Sequence, residues 1–163
     1  MPDKRTIQRA RKDARRGKSA STQAGEFVRE EMDHIRKGKH GARSTRQAIA
    51  IGLSKARRAG VKLKPPKAGA ASTRTRTQAA RDLRKAGAKK KVSAKRSRAV
   101  RGALKREGRS AASKKSLSRQ AKTSARKRGK RSLHLAAKKA VRTKGPVELR
   151  RAAQKAARTR KAA

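Results

Sequence analysis

The chain has 163 residues, with 54 Lys and Arg against 9 Asp and Glu, and a formal net charge of +45 at pH 7. A domain so unbalanced repels itself unless counter-charge comes from outside, so the composition points to a polyanionic partner. With no Cys, Trp or Tyr and a single Phe, the sequence excludes a disulfide framework, a thiolate metal site and the aromatic platform on which single strands stack.

Residues 3–63 are predicted to form three helices. The first runs over about 3–16, with Ile7, Ala10 and Ala14 on one side and Gly17 as its stop. The second covers about 22–37, carries the stripe Ala24, Phe27/Val28, Met32 and Ile35, and ends at Gly38. The third starts at Ser44, an N-cap that Gln47 completes as a capping box. Its Ile49, Leu53 and Ala56 share a face. Gly60 suits the left-handed position after the helix, which lets Val61 fold back on Ala56. The second and third stripes pack as a helical hairpin. A core of so few large side chains is marginal, so a homodimer through this module, or a bound partner, is expected to complete it.

The acids and the large apolar residues concentrate in this part. Residues 1–63 carry a net +12 and residues 64–163 a net +33. The sequence therefore divides into a helical module (1–63), a linker (64–72) around Pro65-Pro66, and a Lys/Arg/Ala-rich tail (73–163). The tail is low in complexity. Ala, Lys and Arg allow helix over 77–85, 97–106, 133–142 and 147–160, but mutual repulsion predicts a largely disordered tail that turns helical when phosphates screen it. The expected fold is thus all-α: a two- to three-helix module followed by a helix-prone, disordered tail.

Duplex DNA carries a phosphate charge every ~1.7 Å of axis, so the tail charge matches roughly 56 Å of duplex, or roughly 17 base pairs. Such contacts position a protein without reading sequence. The candidate phosphate-binding residues of the module are Lys39, Arg43, Arg46, Arg57 and Arg58. Those of the tail are Arg74 and Arg76; Lys89, Lys90 and Lys91; Lys95, Arg96 and Arg98; Lys114 and Lys115; Arg126, Lys127 and Arg128; Lys130 and Arg131; and Lys138 and Lys139. The loop 38–43 can cradle a phosphate through its backbone, but it lacks the Walker spacing. The second and third helices allow a helix-turn-helix, although their connection is longer than the usual turn.

Catalysis has little support. Glu26, Glu30 and Asp33 share a side of the second helix, where they pair with basic residues or dock the first helix; Asp33 precedes Arg36 and Lys37 at helix-pairing distances. His34 and His40 with these carboxylates form no evident closed ligand set, so neither metal nor cofactor is expected.

The segments STQAGEFVREE (21–31), GKHGARS (38–44) and QAIAIGLSKARRAG (47–60) resemble a family of small, basic bacterial proteins of unknown function, over roughly residues 1–66. That resemblance implies a bacterial cytoplasmic protein and supplies no known activity. In composition alone, the basic tail on a helical domain is similar to the linker histones. The reading is a non-enzymatic, largely sequence-independent DNA-binding protein, histone-like and nucleoid-associated. An RNA- or ribosome-associated protein is the alternative, and a cationic membrane-surface binder is third, because the tail lacks the bulky apolar face that enters lipid.

Overall fold

The computed structural model describes residues 2–87 and 93–161, and among them there is no strand. Six α-helices follow in order: α1 (Lys4–Arg15), α2 (Ala20–Arg36), α3 (Thr45–Arg58), α4 (Thr73–Arg84), α5 (Ala94–Arg106) and α6 (Lys114–Lys161). A 3-10 turn at Ser110–Ala112 precedes α6. The chain divides into two compact units, Met1–Ser118 and Arg119–Ala163.

In the first unit, three successive helices end in the same way. Gly17, Gly38 and Gly60 have φ of 68°, 72° and 94°. The amides that follow them, of Lys18, Lys39 and Val61, donate back to the carbonyls of Asp13, His34 and Ala56. A residue without a β-carbon takes this left-handed conformation at little cost, and the returning bond satisfies carbonyls the helix leaves open. At the other ends, Ser19, Ser44, Ser72 and Ser93 each accept a bond from a first-turn amide of α2, α3, α4 and α5. Gln47 completes a variant of the expected box, its Oε1 accepting from the Arg43 amide at 2.8 Å.

Two apolar clusters hold the unit together. One joins α1, α2 and α3 through Ala10, Ala24, Phe27, Ala56 and Val61, flanked by Ile7, Ala20, Leu53 and Leu63. Ala14 is not part of it; α1 instead buries Thr6, Ala10 and Asp13. The other gathers Met32, Ile35, Ala42 and Ala48 with Ala111 and Ala112, and Val28, Ile49 and Leu117 pack against it. Fully buried, Phe27 and Ile35 contribute roughly 1.5–3 kcal/mol each. Surface that the three-helix module lacks is supplied by the same chain, from residues 111–117.

The docking of that later segment is specific. The Gly41 amide donates to the Leu104 carbonyl at 2.8 Å and the Ala42 amide to the Gly108 carbonyl at 3.1 Å. Thr45 Oγ1 donates to the Ala111 carbonyl at 2.7 Å, and Arg36 Nε to the Ala112 carbonyl at 3.0 Å. Helix α4 is fastened through Asp82, which is buried and accepts from Ser54 Oγ, Arg58 Nε and Gln78 Nε2 at 2.6, 3.0 and 3.1 Å.

The expectation of a disordered tail is overturned. Residues 73–84, 94–106 and, except at Gly129 and Gly145, 114–161 are helical. Repulsion among cations is a screened, long-range effect. It is outweighed by the propensity of Ala, Lys, Arg and Leu, and by serine caps at the helix starts. In the second unit, the backbone of α6 leaves helical geometry at Gly129 and Gly145 (φ 74° and 72°), and Pro146 opens the next helical run. No residue of α6 is buried. Among the described residues, no helix is long and apolar enough to cross a membrane.

Candidate nucleic-acid interface

Asp13, Glu26, Glu30, Glu31 and Asp82 of the first unit are engaged in internal clasps. Arg9 Nε meets Glu26 at 2.6 Å, Lys18 meets Asp13 at 2.7 Å, Lys55 meets Glu31, and Arg58 meets Asp82 at 3.0 Å. The Asp3 amide donates to Glu30 at 3.2 Å. The acidic side of α2 therefore docks α1, as its spacing allowed, and Asp33 pairs with Arg36 at 3.6 Å. Carboxylates drawn inward leave the surrounding field positive.

The sequence-predicted cations separate accordingly. Lys39, Arg43 and Arg46 are exposed around the connection between α2 and α3. Arg57 is turned inward: it is only 6% exposed, and its Nε donates to the Leu63 carbonyl at 3.1 Å. Burial pulls its guanidinium below the ordinary arginine range, and Asp82 opposes that shift. Its role is to hold the chain that leaves α3. Arg58 is exposed but bound to Asp82 and Ser54. On α4, Arg74 is exposed and Arg76 half-buried; on α5, Lys95, Arg96 and Arg98 are exposed. Lys89, Lys90 and Lys91 lie outside the described residues. Lys114 and Lys115 are exposed at the start of α6.

In the second unit, Arg126, Lys127, Arg128, Lys130, Arg131, Lys138 and Lys139 are all exposed. So is every other Lys and Arg from 119 to 161. One carboxylate lies in that span, Glu148, and it pairs with Arg151 at 3.0 Å. Lys138 and Lys139 border a shallow groove that Arg142 and Thr143 complete.

A basic face on α1 escaped the sequence reading. Arg5, Gln8, Arg9, Lys12, Arg15 and Arg16 line a shallow groove there. The signal was present, since Arg5, Arg9, Lys12 and Arg16 recur at helical spacing beside the buried Thr6, Ala10 and Asp13.

Two finer expectations meet obstacles. The loop 38–43 cannot offer its backbone as a phosphate cradle, because the amides of Gly38, Lys39, Gly41, Ala42 and Arg43 already donate within the chain. The start of α3 is no free recognition end, because Thr45 is buried and bonded to Ala111. The structure also gathers what the sequence left dispersed: Glu31, His34 and His40 bring ligand-type atoms within 4.8 Å of one another, and Asp3, Glu30 and His34 do the same.

No family model, curated protein or solved structure matches this chain.

Proposed function

We propose that the chain is a non-enzymatic, largely sequence-independent DNA-binding protein that neutralises phosphates with the helices of its C-terminal part. The observation that carries this reading is the run 119–161, in which every Lys and Arg is exposed and the single acid is Glu148. No residue of α6 is buried, so packing does not account for that charge. Helix rises ~1.5 Å per residue and duplex DNA carries a charge per ~1.7 Å, so such helices can lie along many phosphates. Breaks at Gly129 and Gly145 permit redirection along a curved backbone. The first unit presents the basic face of α1 and the exposed Lys39 and Arg43. A cytoplasmic, nucleoid-associated location belongs to the same proposal and rests on the DNA-binding reading alone.

The test is a competition titration of the full chain with duplex DNA, structured RNA and anionic vesicles across salt. The reading expects duplex DNA to be preferred, with little dependence on its sequence. Affinity should fall about 10³–10⁵-fold between about 50 and 200 mM salt, as for a protein touching many phosphates. Preference for RNA at every ionic strength would replace this reading with the RNA-associated one, and preference for vesicles would replace it with the membrane-surface one.

A further inference from the structure

We propose that Glu31, His34 and His40 form a binding site for a divalent transition-metal ion of the zinc class. Glu31 and His34 lie three residues apart on α2, so they share a face. His40 arrives from the connection that the Gly38 turn starts.

The protonation geometry at His40 carries the argument. Its Nδ1 lies 3.0 Å from the Gly41 carbonyl oxygen. A carbonyl only accepts, so Nδ1 carries the proton and the neutral ring presents its Nε2 lone pair on the other side. That Nε2 faces Glu31 Oε1 at 3.2 Å. Glu31 is fully buried and this oxygen has no hydrogen-bond donor. Two acceptors at such a distance repel unless a cation stands between them. A proton on His40 relieves that one pair but does not involve His34, a ring nitrogen of which lies within 4.8 Å of ligand atoms of both. A metal ion held by both imidazoles and Glu31 satisfies all three. A backbone carbonyl that fixes the distal ring nitrogen is the usual outer support of a metal-binding histidine.

The surroundings agree. Lys55 occupies the second Glu31 oxygen, which fixes the carboxylate and leaves Oε1 as its ligand atom. Asp3 Oδ2 and Glu30 Oε1 lie 3.6 and 3.9 Å from His34 Nε2, and the net negative charge of these carboxylates favours a cation. Two imidazoles with one carboxylate suit zinc, cobalt or nickel; magnesium and calcium prefer oxygen shells. Three protein ligands leave a fourth position for water. A bound ion fastens α2 to the connection that carries residues 104–112.

The experiment uses the full-length, chelator-stripped protein and titrates it with Zn²⁺ or Co²⁺ while ¹⁵N spectra follow the imidazoles. The chain has three histidines, so His134 is an internal control. The expected result is one-to-one binding in which His34 and His40 shift and His134 does not, with the visible absorption of tetrahedral Co²⁺. His40→Gln and Glu31→Gln should each lower affinity about tenfold or more, and His134→Gln should leave it unchanged. If the ring nitrogens of His34 and His40 do not respond to Zn²⁺, or if all three histidines respond alike, the proposal is overturned. So too if affinity survives in both site variants. Should those variants unfold, the ¹⁵N response of the unaltered protein decides alone.

Discussion

Gly52 on α3 and Val28 on α2 bring their backbones together: a β-carbon on Gly52 would lie 2.7 Å from the Val28 Cα. This close crossing sets the spacing of the helical hairpin. Gly52→Ala gains helix propensity, worth up to ~1 kcal/mol, but forces the two backbones apart. Overpacking of this kind costs about 1–3 kcal/mol, so a net loss of stability is expected. Gly25→Ala is the paired control, because nothing lies within 4 Å of its β-carbon. It should stabilise the protein by about 0.5–1 kcal/mol. Urea unfolding followed by circular dichroism at 222 nm checks both, and the opposite signs are the prediction.

Gly41 plays the corresponding part for the later segment. A β-carbon there would lie 1.8 Å from the Glu107 carbonyl oxygen. Gly41→Ala should therefore release residues 104–112 from the loop 38–43. The first cluster, around Phe27 and Ala56, should persist. Hydrogen exchange provides the readout: the amides of Gly41, Ala42 and Ala112 should lose protection, and those of Phe27 and Ala56 should keep most of theirs.

These two glycines mark the limits of what the sequence revealed. The three N-terminal helices, the Ser44 cap and the Val61 return were legible because each rests on local chemistry: a stripe at helical spacing, a side-chain acceptor, a positive φ. The role of residues 111–117 was not. Ala111 and Ala112 are buried because Gly41 admits the neighbouring backbone, and small residues in a basic run carry no periodic signal of that contact. Disorder was inferred by weighting charge repulsion above the capping serines and the helix propensity of Ala, Lys and Arg. Among the candidate phosphate-binding cations, sequence could not separate Arg57 from its neighbours, since only its burial and its contact with the Leu63 carbonyl show that it faces inward. The α1 face is readable in the helical spacing of Arg5, Arg9, Lys12 and Arg16. Glu31 and His34 shared a helix face from the outset, whereas His40 joined them only through the Gly38 turn.

Asp82 tests how α4 is held. It is buried and takes three donors from α3 and α4. Asp82→Ala leaves Ser54 and Arg58 without their acceptor. Because Arg58 is largely exposed, water replaces part of the loss, and the cost is expected at about 1–3 kcal/mol. Asp82→Asn keeps the shape and an acceptor but removes the charge, so it should fall between the two. An Asp82→Ala variant as stable as the parent, by urea midpoint at constant slope, would show that α4 is held by Ala79 burial instead.

Under the proposed DNA-binding reading, the two units contribute differently to affinity. Each phosphate neutralised steepens the dependence of log affinity on log salt by ~0.9. Removal of residues 119–163 takes away the long exposed cationic run but leaves both apolar clusters, which lie within residues 7–117. The truncated chain should stay folded, and its salt slope should shrink by several such increments. What remains should respond to charge reversal at Arg5, Lys12 and Arg16 on α1. In the full chain without DNA, amides of 119–161 should exchange faster than those of α2 and α3, because no burial backs their helices. Added duplex should slow them. If truncation leaves both slope and affinity intact, the site is the α1 face with its neighbours in the first unit, and the second unit has another task.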